Sequence, residues 1–295
     1  MTTVEQSLDV LAPKRGRSLY ILTQLIKRRT ALVGLIVIAI VVLMAIFAPL
    51  VAPYDPMAQD IPAAFQMPTL SHPLGTDDLG RDTLSRIIYG SRTSLEIGVL
   101  AIALGGAIGV VLGMVSGYFR GLIDPIIMRI IEALLALPGL LLVIALATSL
   151  GMGMKALIVA VAVGSVPHFA RLIRGSVLLT RELDYVQAAR TIGAGNVRIM
   201  LQHIWPNCLQ PVIVQGTLGI GVAILVAAGA SFIGVGVQPP ASDWGLMIAK
   251  GHQYVFSNWW LSVPPGVAIM LTVMGFNLLG DGLRDALDPR LRGVV

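Results

Sequence analysis

The chain has 295 residues, of which 56% are hydrophobic and only 13% charged, with a mean hydropathy of +0.82. A soluble domain carries about 25% charged residues, so this composition excludes an ordinary soluble protein and predicts an all-α integral membrane protein. A single cysteine, Cys208, excludes an intramolecular disulfide and a multi-cysteine metal site. The formal charge of +5 is scattered among apolar runs, as membrane topology requires, rather than gathered on a nucleic-acid-binding face.

In chain order, residues 1–29 are mostly polar and are expected to be a retained cytoplasmic segment, not a cleaved signal. Within it, 19–26 followed by Lys27-Arg28-Arg29 predicts a short interfacial helix. Uncharged runs at 30–54, 97–119, 133–154, 156–170, 199–242 and 251–280 predict six transmembrane helices, because about 20 apolar residues cross a hydrocarbon core of ~30 Å. In the fifth run, Gly-Val-Gly-Val-Gln-Pro-Pro from Gly234 breaks a helix and confines the span to 209–233. The fourth run, 156–170, is short for a crossing at about 1.5 Å per residue. It spans if Lys155 and Arg171 or Arg174 snorkel; the alternative is a re-entrant segment.

Charge asymmetry orients the chain. With six spans and both termini cytoplasmic, sixteen basic residues lie inside and five (Arg81, Arg86, Arg92, Lys155 and Lys250) outside. Omitting the fourth span would move the Arg171–Arg198 cluster outside. The resulting organisation is a six-span unit over 30–284 and a cytoplasmic tail over 285–295. Its outer loop is 53–92, and a cytoplasmic loop covers 180–207.

The second span repeats small residues every fourth position: Ala101, Gly105, Gly109, Gly113 and Gly117. The fifth does the same with Gly219, Ala223, Ala227 and Ser231. Such stripes let helices approach closely; the alternative use is a face that slides or rotates during transport. Ionisable groups are nearly absent from mid-span positions. Arg129 and Glu132 are expected to pair, Asp281, Arg284 and Asp285 to anchor the last span, and His168 to be packed or interfacial near the inner end of the fourth. That pattern suits alternating access driven from outside the membrane unit better than ion coupling. No glycine is followed by lysine, so no phosphate-binding P-loop exists, and the zinc-protease and serine-hydrolase motifs are also missing. A membrane enzyme is disfavoured.

The loop at 180–207 reads as helix, glycine turn, helix. Residues 182–192 contain no helix breaker, Gly193 and Gly195 supply a stop, and Asn196 is expected to cap a helix with an apolar face of Val197, Met200 and Leu201. Ala188, Ala189 and Gly193 give the turn a bare surface flanked by Arg190 and Arg198. The segment Gln187-Ala188-Ala189-x-x-x-Gly193, with His203-Ile204-Trp205-Pro206 following, resembles the EAA loop of ABC-importer permease subunits. Gln187 stands where that family has Glu, and Trp205 where it has Leu. His72-Pro-Leu-Gly75-Thr-Asp77-Asp78-Leu-Gly80-Arg81-Asp82, Asp243-Trp244-Gly245 and Phe276-Asn277-Leu-Leu-Gly280-Asp281-Gly-Leu-Arg284-Asp285 resemble the dipeptide/oligopeptide class of that family.

The resemblance implies a type I ABC-importer permease fold with a cytoplasmic coupling helix, in a bacterial cytoplasmic (inner) membrane. It implies a second permease subunit forming a heterodimer, two ATP-binding subunits holding the ATP and Mg, and an extracytoplasmic substrate-binding protein. Membrane lipid is the remaining partner, and no nucleic acid is expected. The chain itself would carry no cofactor. Its substrates would be short peptides, or related solutes such as nickel chelates, opines, glutathione or oligosaccharides. The coupling surface is then Asp184, Tyr185, Gln187, Ala188, Ala189, Arg190, Gly193, Ala194 and Gly195. The inner faces of spans two, three, five and six form the path. The outer aspartates and His72 are read as a self-capped turn rather than a metal cluster, able to meet the binding protein. The rival reading is a self-sufficient secondary carrier or channel, which would need a functional intramembrane charge.

Overall fold

The computed structural model describes residues 28–287; the interfacial helix expected at 19–26 and most of the tail lie outside the described residues. The described chain is helical. Helix α1 (Arg29–Ile46) continues after Phe47 into the short turn α2 (Ala48–Val51). An irregular segment leads to α3 (Thr83–Phe119), followed by α4 (Ile123–Leu135), α5 (Gly139–Ser149), α6 (Gly153–Thr180) and α7 (Asp184–Thr191). Then come α8 (Asn196–Phe232), which includes a π-helical turn at Ile199–Ile204, α9 (Trp244–Gly251) and α10 (Val263–Leu287).

Five of these helices are long and apolar enough to cross a membrane, and the pair α4–α5 makes a sixth if counted as one broken span. The expected third span is therefore not a straight helix: α4 and α5 meet at 93°. Pro138 is the cause, since it forces the preceding residue out of the helical region and stops α4. The uncharged stretch 133–154 concealed that break. Conversely, the short fourth run belongs to a 28-residue helix. The helix extends past both charges that bound the run, Lys155 and Arg171, and also includes Arg174. Arg174 forms a two-pronged pair with Asp124 of α4, at 2.7 and 2.6 Å, which ties a half-buried charge on α6 to the neighbouring helix. Residues 83–92, expected as outer loop, are the first turns of α3, whose 37 residues extend about 55 Å at ~1.5 Å each.

Contacts fix the direction of each helix. Gly105 faces Ala162 and Ser165, Gly109 faces Val166 and Phe169, Gly113 faces Ala170, and Gly117 faces Arg174 and Val177. Because the numbers rise together, α3 and α6 run parallel. The α4–α5 pair must therefore return the chain to the end at which α6 begins, giving six passes. Helix α8 is antiparallel to α3, with Gly98 against Ile224 and Gly219 against Ile102. Helix α10 runs antiparallel to α1: Gly34 abuts the Gly275 carbonyl, and Arg28 pairs with Asp285. Both described ends thus lie at the same end of the bundle as α7.

The α3–α6 seam is the tightest contact. A Cβ on Gly105 would stand 1.9 Å from Ser165 Oγ and 2.3 Å from the Ala162 carbonyl oxygen, and one on Gly109 would be 2.6 Å from Phe169 Cβ. In lipid, helices gain by van der Waals packing and not by apolar burial, so missing side chains set how closely these two approach. The stripe packs directly against α6 along its length.

Candidate functional site

The loop after α6 is fastened to the C-terminal end of α3. Carbonyls there have no intrahelical donors, and Arg181 Nη1 donates to those of Tyr118 at 2.7 Å and Gly117 at 3.3 Å. Helix α7 then turns across this end. Its stop is Gly193, at φ +84°, where the Gly193 N–H donates to Arg190 O (3.0 Å) and the Ala194 N–H to Ala189 O (3.1 Å). These bonds satisfy terminal carbonyls in a left-handed cap that favours glycine. Gly195 is extended (φ −68°, ψ 153°), a conformation open to any residue, so only Gly193 makes the stop.

Tyr118 grips both sides of that turn. Its hydroxyl donates to Asn196 Oδ1 at 2.8 Å, and the Arg190 guanidinium lies 5.7 Å over its ring. Asn196 is therefore the first residue of α8 and a partner of Tyr118, not the expected side-chain cap. Tyr185 anchors the other side: its hydroxyl donates to His203 O (3.2 Å) and accepts from Asn207 Nδ2 (2.7 Å). Partial burial pushes the Tyr185 phenol above its ordinary range.

Of the expected coupling residues, Asp184, Tyr185, Ala188, Arg190, Gly193 and Gly195 are exposed, while Gln187 and Ala194 are half-buried. Gln187 Nε2 donates to Arg181 O at 3.1 Å. Ala189 is buried beside Val186 and points into the bundle, so it cannot belong to a docking surface. A second correction concerns the apolar face expected at 197–201. Val197 and Leu201 are exposed, Met200 alone of the three packs half-buried against the core, and Ile199 and Ile204 are the buried residues. With Ile192, 85% exposed, Val197 and Leu201 add apolar surface next to the glycine turn. Helical spacing shows which residues share a face, not which face has a partner.

At the opposite end, the outer signature folds on itself. Asp82 caps α3, accepting from Ser85 N and Ser85 Oγ (both 2.7 Å), and its other oxygen meets His72 Nδ1 at 2.9 Å. Asp77 accepts from the backbone of Leu79 and Arg81 and from Arg81 Nε at 2.8 Å; Arg86 Nε lies 3.5 Å away. Arg81 and Arg86 are both buried, while Asp78 meets Arg81 at 3.5 Å. Gly75 (φ +67°) and Gly80 (φ +73°) occupy left-handed turns, and a Cβ on Gly80 would fall 1.8 Å from the Asp60 carbonyl oxygen. His72, Asp77 and Asp82 are thus engaged in holding the turn.

Asp243 caps α9 through the Leu246 N–H at 3.0 Å, and burial pushes its carboxyl upward. Trp244 donates to Ile87 O (2.9 Å) and packs against Gly90, while Gly245 meets the Ala228 backbone. These contacts lock α9 between α3 and α8.

Halfway along the bundle, α3, α5, α6 and α8 line an open-sided cavity of about 350 Å³. Gly139 and Leu140, just past the Pro138 break, form one wall, and Gly219 and Ala223 of the second stripe form another. His168 lines it. It lies in the middle of α6 with its side chain exposed, not packed near the inner end. The fourth span lines this cavity, and the sixth contributes no residue to it. Arg129 and Glu132 approach to 3.9 Å on an exposed face. Sequence reasoning missed Tyr118, Arg181 and Gln215. Gln215, another lining residue, was findable as an uncharged polar residue inside an apolar run; nothing in the spacing marked Tyr118.

The family described as binding-protein-dependent transport system inner membrane component matches residues 109–293. The N-terminal transmembrane domain of oligopeptide transport permease C matches residues 19–68. The chain is 40% identical over 294 residues, 99% of each chain, to a putative peptide transport system permease protein of Brucella suis. It is 45% identical over 272 residues to the dipeptide transport system permease protein DppC of Escherichia coli, covering 90% of this chain and 91% of that one. Among solved structures, an inward-facing MetNI methionine ABC transporter chain aligns with a TM-score of 0.57 at 19% identity, covering 69% of this chain and 97% of that chain.

Proposed function

Because the chain belongs to the family of binding-protein-dependent transport system inner membrane components, we propose that it forms half of the translocation path of an ATP-driven importer for short peptides. It is a multi-pass membrane permease of type I importer fold. Relatives named as dipeptide permeases support the peptide substrate. In this reading an external binding protein delivers the peptide, a second permease subunit supplies the other half of the path, and two ATP-binding subunits hold the nucleotide and Mg. The termini and α7 face the cytoplasm of a bacterial inner membrane, in keeping with the basic residues at that end.

The observation that carries the mechanism is the fastening of α7 to the ends of α3 and α6: the Arg190 guanidinium lies over the Tyr118 ring, and Gln187 donates to the carbonyl of Arg181, which itself donates to that of Tyr118. Helices α3 and α6 form one seam, so a push on α7 tilts them as a unit. Such a rigid pair rocking against its neighbours is a bistable element of the kind alternating access requires. The partner's groove would meet Ala188, Arg190, Gly193 and the apolar Ile192, Val197 and Leu201. Ala189 supports this surface from beneath. At the far end, the self-capped turn at 72–82 offers a preformed platform to the binding protein.

Reconstitution tests the reading. Proteoliposomes holding the chain, its copurifying permease and ATPase subunits and a loaded binding protein should take up labelled dipeptide only with internal or external ATP on the ATPase side. Uptake by the chain alone under a proton gradient would favour the secondary-carrier alternative.

A further inference from the structure

The cavity between α3, α5, α6 and α8 has the size of a small-molecule site, for which about 300–1,000 Å³ is usual. Its walls are aliphatic apart from Phe169, and the lining contains no Asp, Glu, Lys or Arg. Three polar side chains line it: Ser165, His168 and Gln215. The Ser165 hydroxyl donates to the Ala162 carbonyl at 2.8 Å. Among the described residues, the His168 and Gln215 side chains have no hydrogen-bond partner within the chain, and they approach the space from α6 and α8 respectively. Ionisable side chains within spanning helices are rare, and one that faces a cavity, as His168 does, marks a substrate pathway.

We propose that this cavity is the chamber that holds a short peptide in transit, with His168 and Gln215 hydrogen-bonding its main chain. The inference rests on the permease reading above and names the contacts that reading leaves open. Peptides differ in side chains but share amide N–H and C=O groups. An imidazole and a carboxamide each offer both a donor and an acceptor, so they serve any main chain in either direction. Aliphatic walls accept side chains of varied shape without selecting among them. The lack of fixed charge leaves the peptide termini unheld, which suits a site that must release its occupant as readily as it takes it.

The test uses the whole transporter in proteoliposomes with radiolabelled dialanine. His168→Phe and Gln215→Leu should each lower uptake about 2- to 10-fold, the effect of losing one hydrogen bond. His168→Gln and Gln215→Asn should restore part of it, with equal amounts of assembled complex recovered throughout. Wild-type uptake in both apolar variants would overturn the proposal. A gentler probe is Gly164→Cys in a Cys208→Ser background. A Cβ there meets only Val143 Cγ2, at 3.6 Å, so the thiol enters the cavity without strain. Dialanine delivered by its binding protein should slow thiol labelling at this position at least fivefold; an unchanged rate would count against the site. Should the unaltered complex show no ATP-driven uptake, the permease reading falls with it. Intact ATP-driven uptake with indifferent variants removes this inference alone.

Discussion

The Tyr118 hydroxyl donates to Asn196 Oδ1 at 2.8 Å across the end of the bundle, joining the last turn of α3 to the first residue of α8. The same ring lies beneath the Arg190 guanidinium, so one side chain spans the glycine turn from both sides. A hydrogen bond of this kind contributes about 0.5–1.5 kcal/mol, and a cation–π contact about 0.5–1 kcal/mol at an exposed site. Tyr118→Phe keeps the ring and loses the bond. It should raise ATP hydrolysed per peptide imported about 2- to 10-fold, with Tyr118→Ala worse. Unchanged stoichiometry in both variants would show that α3 is not pushed through this contact.

The seam between α3 and α6 makes a paired stability prediction. Gly105→Ala forces a methyl against a backbone carbonyl at 2.3 Å, and overpacking of this kind costs about 1–3 kcal/mol. Gly175→Ala, on an open part of α6 with nothing within 4 Å, should instead gain about 1 kcal/mol from helix propensity. Thermal midpoints of the two variants in detergent should therefore move in opposite directions. A common direction would mean that the stripe is not a close contact.

Much of this was legible from the sequence, and the failures have physical causes. The number of spanning helices followed from apolar runs, and the four-residue spacing of Gly105, Gly109, Gly113 and Gly117 foretold a close seam. The bend at Pro138 escaped because hydropathy is blind to helix geometry. The true length of α6 escaped because charge marks where an apolar run stops and not where a helix stops, and α6 continues past Lys155 and Arg171. In the coupling loop, the turn at Gly193 was readable from local backbone chemistry. The inward face of Ala189 was not, since it depends on what α7 lies against. Tyr118 carries no motif at all; only the parallel course of α3 and α6 brings it to the loop.

Asp243 offers a test of the lock on α9. Asp243→Ala removes the cap and leaves the Leu246 N–H without its partner in a buried place. The loss should be about 2–3 kcal/mol, from cap and desolvation together. Asp243→Asn retains an acceptor and removes a charge that burial opposes. With the folded value raised, the protonated form favours folding, and stability declines as pH rises from the usual carboxylate range through the folded value. The D243N variant should lose that slope while D243A is less stable at every pH, as measured by thermal unfolding in detergent.

Gly193 separates docking from folding. Its φ of +84° disfavours any other residue, by about 1–2 kcal/mol for a left-handed alanine. Yet a Cβ there meets nothing within 4 Å in this chain, so the added group would point into open space. Gly193→Ala should then report backbone strain alone, with near-normal assembly and modestly reduced uptake. Gly193→Trp adds the same strain plus a ring in the space assigned to the ATPase groove. It should lower copurifying ATPase or uptake more than tenfold, while the amount of inserted subunit and its thermal midpoint stay close to those of Gly193→Ala. Equal uptake in the two variants would mean that no partner seats on this turn, and the coupling surface would have to be sought elsewhere on that end of the bundle.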